Sequence, residues 1–382
     1  MKERNLKLDN AKGILITLVV IGHMLLPIQG TTRGVTNFFY MIYAFHMPAF
    51  VFISGLLAQR IYTRVPKPHF NGRRWCSTLW LYLLFQFILF FSEIPAYGRT
   101  TRFPDFLHTS GAPWYLLALL LWYLMIPFFA GCRGLPYSLI AWILLTSLSL
   151  AGGYLAIGAL AGIGDFLALD RVIAFAPFFF AGYFIGPERL MKFLGVQQES
   201  VAAPKRATSR RRSPEGTSKR ADRGIVLLLT ALGLLCFVLI GTQAFDRLLP
   251  YRNVVYGAWY YRFHPEQNPA AFPGALATQL WLIRLAWFLV SGLMSFALLA
   301  LMPNRQIPLI TTTGQRTLQI YILHRPIRDL LLASGFITAA GPENSLHVLL
   351  LIALSLLMTL VLSAGILQRL FDAIQKLPER LF

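Results

Sequence analysis

The chain has 382 residues, 56% of them hydrophobic and only 13% charged, with a formal net charge of +19. A soluble globule of this size needs a far more polar exterior, so the composition excludes the soluble classes and points to a lipid bilayer. The basic excess does not require nucleic acid as a partner: most of the 35 Lys and Arg fall in loops on the N-terminal side of the predicted topology, as the positive-inside rule demands.

A hydrocarbon core of ~30 Å takes about 20 helical residues. Apolar stretches of that order run near 11–29, 36–58, 75–97, 112–130, 136–157, 171–187, 225–245, 279–301, 315–335 and 347–369. The expected fold is all-α, a polytopic membrane helix bundle with about ten transmembrane helices, both termini cytoplasmic, forming a single domain over 1–382. The basic start and first apolar run resemble a signal peptide, but the run holds a histidine and lacks a small-residue cleavage site, so it is expected to be retained. The Ser, Pro, Arg and Lys of 196–224 cannot bury a core and predict a basic, disordered cytoplasmic linker. The loop at 246–278 is external in this topology and crowded with Tyr, Trp and Arg; that composition suits a ring-shaped polar acceptor such as a sugar, and equally suits a membrane interface. Cys76, Cys132 and Cys236 are far apart and show neither a disulfide framework nor a metal spacing, so no metal and no permanently bound cofactor are expected.

The polar residues inside the spans carry the functional signal. Lys12 and His23 are eleven residues apart, close to three whole turns, so they share a face of the first helix about 16 Å apart along its axis. The lysine falls at the cytoplasmic rim and the histidine near mid-membrane. The second span returns from outside with Tyr43, His46, Phe50 and Ser54 along one stripe, and the loop after it brings Arg60, Arg64, Lys67, Arg73 and Arg74 close to Lys12. The ninth span holds Tyr321, His324, Arg325, Arg328 and Asp329, with Arg325 and Asp329 spaced to pair. A lone intramembrane histidine is readily explained as a hydrogen bond between helices. Three at similar depth with arginines beside them mark a water-filled path or a reaction site, because each such group costs ~2.5–3.5 kcal/mol or more in lipid.

These residues resemble the acyltransferase-3 family of integral membrane acyltransferases, in particular its fucose 4-O-acetylase-like branch. The matching pieces run in family order: Lys12 to His23, "YAFHMPAFVFISG" at 43–55, the Arg73–Arg74 pair, "APWYLLALLLWYLMIP" at 112–127, "RVIAFAPFFFAGYFIG" at 171–186 and "TLQIYILHRPI" at 317–327. The resemblance implies transfer of an acyl group, usually acetyl, from cytoplasmic acyl-CoA as co-substrate to a hydroxyl of an extracytoplasmic or lipid-linked glycan or glycolipid, in the plasma (inner) membrane of a bacterium. It implies His23 as the catalytic residue; the mid-membrane placement of His46, Tyr321 and His324 makes them further catalytic candidates. Lys12, Arg73 and Arg74 are then the donor-side charges, and Arg171, Arg325 and Arg328 the candidates for holding the oxyanion or the acceptor. Many relatives space the arginines of the third helix three apart, whereas here they are adjacent. Some relatives append an extracytoplasmic esterase-like domain; with this chain ending at Phe382, transfer is expected to finish in the membrane core or with a separate partner. A secondary transporter or flippase would use similar groups, but no repeat relates the two halves and the first two spans, read from residue 11, contain no acid.

Overall fold

The computed structural model describes residues 5–63, 67–98, 100–109, 111–155, 166–196, 215–248, 252–255, 280–341 and 343–377. Its helices are α1 (Leu6–Leu25), α2 (Arg33–Tyr43), α3 (His46–Leu57), α4 (Gly72–Tyr97), α5 (Trp114–Phe129), α6 (Tyr137–Leu155) and α7 (Leu169–Phe193). They continue as α8 (Glu215–Arg247), α9 (Arg252–Val255), α10 (Leu280–Leu301), α11 (Ile310–Gln315), α12 (Thr317–Ala333), α13 (Ser345–Leu362) and α14 (Gly365–Gln375). The sheet among the described residues is one short antiparallel hairpin, β1 (Tyr62–Thr63) against β2 (His69–Phe70), with Tyr62 opposite Phe70.

Eight segments among the described residues are long and apolar enough to cross a bilayer, and α2 with α3 makes one of them, Arg33–Arg60. The chain is therefore an all-α polytopic membrane bundle. The other two expected spans are also helices: α6, apolar over Tyr137–Ala151, and α12, which carries His324, Arg325, Arg328 and Asp329, all buried, and these depress its hydropathy. Helix α8 starts at Glu215, inside the stretch expected to be a linker; 197–214 lie outside the described residues, as does most of the expected external loop, 249–251 and 256–279.

Side chains close the helix ends as the sequence suggests. Asn5 accepts from the Leu8 N–H at the start of α1 and Asn71 from the Arg74 N–H at the start of α4, each filling one of the donors a helix N-terminus leaves open. Prolines open gaps of the opposite kind, because proline has no N–H for the carbonyl four residues earlier. Pro48 frees the Ala44 carbonyl at the break between α2 and α3, and the Ser291 hydroxyl fills it at 2.5 Å. Pro187 frees the Tyr183 carbonyl, filled by the Gln59 amide at 3.1 Å, where Gly186 at φ 72° breaks α7. Pro27 frees the His23 carbonyl, filled by Arg328 Nε at 3.1 Å. A bilayer offers no water for such groups, so each break is repaired from a neighbouring helix.

Helix α1 runs through the middle of the bundle, touching α2, α3, α10, α11, α12 and α13. Small residues bring its neighbours close. A Cβ built at Gly182 of α7 would lie 2.1 Å from the Phe52 carbonyl oxygen of α3, and one at Gly55 of α3 would lie 1.9 Å from the Phe179 oxygen of α7. These contacts hold α3 flush against α7 and leave its other side facing α1. The N-terminal turns of α1 also pin the segment after α10: Asn10 donates to the carbonyls of Pro303 and Arg305 at 2.9 and 2.8 Å and accepts from Thr311 at 2.6 Å.

Candidate active site

Two cavities lie end to end along α1. The inner one, about 260 Å³, is lined by Lys12, Ser54, Arg74, Tyr115, Tyr123 and Tyr321 among others. The outer one, about 240 Å³, is lined by His23, Tyr43, His46, Trp114, Arg171 and Arg325 among others. Val19, Met47 and Tyr321 belong to the walls of both, so the two spaces meet at this trio. Lys12 and His23 thus do share the α1 face that their spacing predicts, one on each cavity.

At the inner end the adjacent arginines separate. Arg74 lines the cavity and its guanidinium sits 5.6 Å from the Tyr123 ring centroid, whereas Arg73 is exposed and is not part of that wall. One position along a helix is a rotation of about 100°, enough to turn one of two neighbours away. Lys12 is held by Asp9 at 2.8 Å, and Asp9 also accepts from Gln315 at 3.3 Å. Helix α1 begins at Leu6 and so includes Asp9; the expectation that the first two spans contain no acid is corrected, because the helix starts a turn and a half before its apolar run. Midway along the inner cavity, the Ser54 hydroxyl donates to the Phe50 carbonyl at 2.9 Å and lies 2.5 Å from the Tyr115 hydroxyl, which therefore donates to Ser54.

At the outer end the two histidines of α1 and α12 meet. His23 Nδ1 lies 2.7 Å from His324 Nε2, and the rings are 2° from parallel with centroids 5.0 Å apart, an edge-to-edge arrangement in one plane. His324 Nδ1 lies 2.9 Å from the Ile320 carbonyl oxygen. A carbonyl only accepts, so His324 carries its proton on Nδ1 and its Nε2 is an acceptor; His23 then carries its proton on Nδ1 and presents the lone pair of Nε2. His324 is fully buried and His23 half-buried against the cavity. His46 repeats the motif on α3, with Nδ1 donating to the Ile42 carbonyl at 2.8 Å, which leaves its Nε2 as an acceptor on the same cavity.

The remaining candidates divide by what their polar atoms already do. Tyr321 donates its hydroxyl to the Ala112 carbonyl, so its proton is committed and its ring forms the wall between the cavities. Arg328 gives Nε to the His23 carbonyl, and its Nη1 reaches the Tyr97 hydroxyl and, at 2.8 Å, Asp329. Arg328 lies behind His23, outside both cavities. Arg325 faces the outer cavity with Nη2 3.5 Å from Asp329 and 3.8 Å from Glu93, and its Nε is buried with no hydrogen-bond partner among the described residues. Arg171 lies over Trp114 at 5.4 Å. Beyond Glu93 a small polar pocket opens toward the loop after α4, lined by Gln86, Glu93, Asp105 and His108. There the backbone N–H of His108, with that of Leu107 and the His108 ring, holds the Asp105 carboxyl below the usual carboxylate range.

Sequence reading missed Asp9, Ser54's partner Tyr115, and the apposition of His23 with His324, which are 301 positions apart. One signal was present for Arg328: Pro27 stands four residues after His23, so a freed carbonyl in need of a donor was implied.

The acyltransferase-3 family, described as an acyltransferase domain, matches residues 5–367. Similar curated proteins include Nodulation protein NolL of Mesorhizobium japonicum, 42% identical over 90 residues, which are 20% of this chain and 24% of the relative. Nodulation protein NolL of Sinorhizobium fredii is 35% identical over 136 residues, 34% of this chain and 37% of the relative. The alignments span well under half the length of these relatives. No solved structure matches the chain. With the family match running from the first turn of α1 into α14, the chain belongs to the acyltransferase-3 family of membrane acyltransferases.

Proposed function

We propose that the protein is an acyl-CoA-dependent O-acyltransferase that moves an acetyl group to a hydroxyl of an extracytoplasmic or lipid-linked glycan. In this reading it sits in a bacterial inner membrane with the Lys12 end facing the cytoplasm. The skew of Lys and Arg supports the orientation, and the bacterial sources of the similar NolL proteins support the setting. The observation that carries the reading is the meeting, at Val19, Met47 and Tyr321, of a cavity with cations at its far end and a cavity holding a histidine lone pair.

The phosphates of the donor rest against Arg74 and the Asp9-oriented Lys12, where charge-assisted hydrogen bonds are strong. The pantetheine arm lies along the inner cavity past Ser54 and Tyr115, and the thioester passes the Met47–Tyr321 waist. The acceptor comes from the outer end. His23 Nε2 takes the hydroxyl proton as the oxygen attacks the thioester carbonyl. The C–S bond then breaks as the ester forms, and the proton on His23 passes to the departing thiolate. Arg325 and Arg171, both on the wall of the outer cavity, are the cations nearest the oxygen on which charge develops.

The test is thiol release from acetyl-CoA by purified protein in detergent, with and without oligosaccharide acceptors, together with ester formation on the acceptor. His23→Ala is expected to lower turnover by roughly 10²–10⁴, the usual worth of a positioned base, with donor affinity within twofold of wild type. Near-wild-type turnover in that variant overturns the mechanism.

A further inference from the structure

A cavity larger than the two along α1 lies away from the reaction centre. It measures about 680 Å³ and runs between α6, α7, α8 and α10, with walls of Phe178, Phe184, Leu229 and Phe288 among others. Its walls include several polar groups, but most are already committed. The Trp142 indole donates to the Pro177 carbonyl at 2.8 Å, Thr146 to the Trp142 carbonyl at 2.8 Å, and Ser295 to the Ser291 carbonyl at 2.6 Å. Two polar side chains remain on the wall, Ser138 in the first turn of α6 and Arg189 in the last turns of α7. Both sit at one end, where Arg189 Nη1 reaches the Arg133 carbonyl at 3.5 Å. Arg133, which Arg189 touches, and Lys192, three residues on from Arg189, add charge at that end beside the acid Glu188. It is the same end as Lys12, since α7 is bound there to Gln59, two residues past the inner-cavity wall residue Leu57.

A groove that is lined mostly by apolar side chains and cationic at one end is the complement of an amphiphile with a long apolar tail and an anionic head. We infer that this groove binds one anionic phospholipid of the surrounding bilayer, with the acyl chains against Phe178 and Phe288 and the phosphate at Arg189. The apolar length explains why the tail enters, because any polar ligand there would lose its hydrogen bonds to water without replacement. The charge at Arg189 explains the choice of head. This site is independent of acyl transfer and does not share a wall residue with the two cavities along α1.

Gly292 provides a clean way to fill the groove, because it lines the wall and a Cβ built on it meets nothing within 4 Å. Native mass spectrometry of the detergent-solubilised protein, titrated with dimyristoyl phosphatidylglycerol or phosphatidylcholine, reads the adducts directly. Wild type is expected to retain one phosphatidylglycerol about tenfold more tightly than phosphatidylcholine, the scale of one charge-assisted hydrogen bond. Arg189→Gln, a change at an exposed side chain, should erase that preference while leaving binding of both lipids. Gly292→Phe should remove the retained adduct of either lipid. Equal retention of the two lipids by wild type, or an unaltered preference in Arg189→Gln, overturns the assignment of the head; undiminished retention by Gly292→Phe overturns the assignment of the groove.

Discussion

His23 and His324 face each other edge to edge at 2.7 Å, and the Ile320 carbonyl behind His324 fixes the direction of the pair. The outer ring is thereby held as the tautomer with its lone pair toward the cavity, and rotation of the inner ring is resisted by a hydrogen bond on each nitrogen. His324 acts on the reaction through His23, as a positioning residue.

His324→Ala is therefore expected to lower kcat by about 10²-fold, a loss in the lower part of the range for a base left in the wrong tautomer or orientation, with the donor KM unchanged. His324→Gln keeps an acceptor oxygen near the place of Nε2 and should recover most of the loss. Steady-state kinetics on equal amounts of folded protein separates the outcomes. A fall in donor affinity with kcat intact would mean that His324 only shapes the cavity.

The inner cavity predicts a division between two neighbours that are chemically identical. Arg74 lines the cavity and Arg73 does not. Arg74→Gln should raise the donor KM about tenfold or more, since one charge-assisted hydrogen bond to phosphate is worth roughly 1.5–3 kcal/mol. Arg73→Gln should leave the donor KM within about twofold, the scale of an exposed charge. Titration of acetyl-CoA at saturating acceptor decides it, and an equal effect of the two changes would place the nucleotide outside the cavity mouth.

The parts of the site legible in the sequence are those set by one helix. Lys12 and His23 share a face because three turns of α1 separate them, and Arg325 meets Asp329 at 3.5 Å because they are four apart on α12. The illegible parts depend on which helices touch. Asp9 was hidden because apolar content, and not the cap at Asn5, marked the start of α1. Arg73 and Arg74 read as one cluster because their azimuth depends on where the Asn71 cap begins α4. The His23–His324 contact joins helices at opposite ends of the chain, and its sole sequence trace was that both residues sit at mid-span. The freed carbonyls behave differently: Pro27, Pro48 and Pro187 announce where a donor is required, while Arg328, Ser291 and Gln59 are identified only by packing.

The last expectation concerns the charge behind the histidines. Asp329 is fully buried; it accepts from Arg328 at 2.8 Å and from Ser92 at 3.3 Å, and Arg325 lies 3.5 Å away. Asp329→Asn leaves two buried guanidinium groups with Glu93 as the nearest acid, 3.8 Å from Arg325. Breaking a buried pair by removing one member costs about 3–5 kcal/mol, so the variant should melt well below wild type in detergent. Arg328→Met should cost less, because Asp329 keeps Ser92 and Arg325 and the main loss is the donor to the His23 carbonyl, about 1–3 kcal/mol for a buried unsatisfied group. Combining Arg328→Met with Asp329→Leu removes both members and should recover part of the stability lost in Asp329→Asn. It should not recover turnover, since Pro27 still leaves the His23 carbonyl without a donor and α1 free to shift against α12. A double variant that regained both stability and kcat would show that Arg328 serves only as the counter-charge of Asp329 and has no part in placing His23.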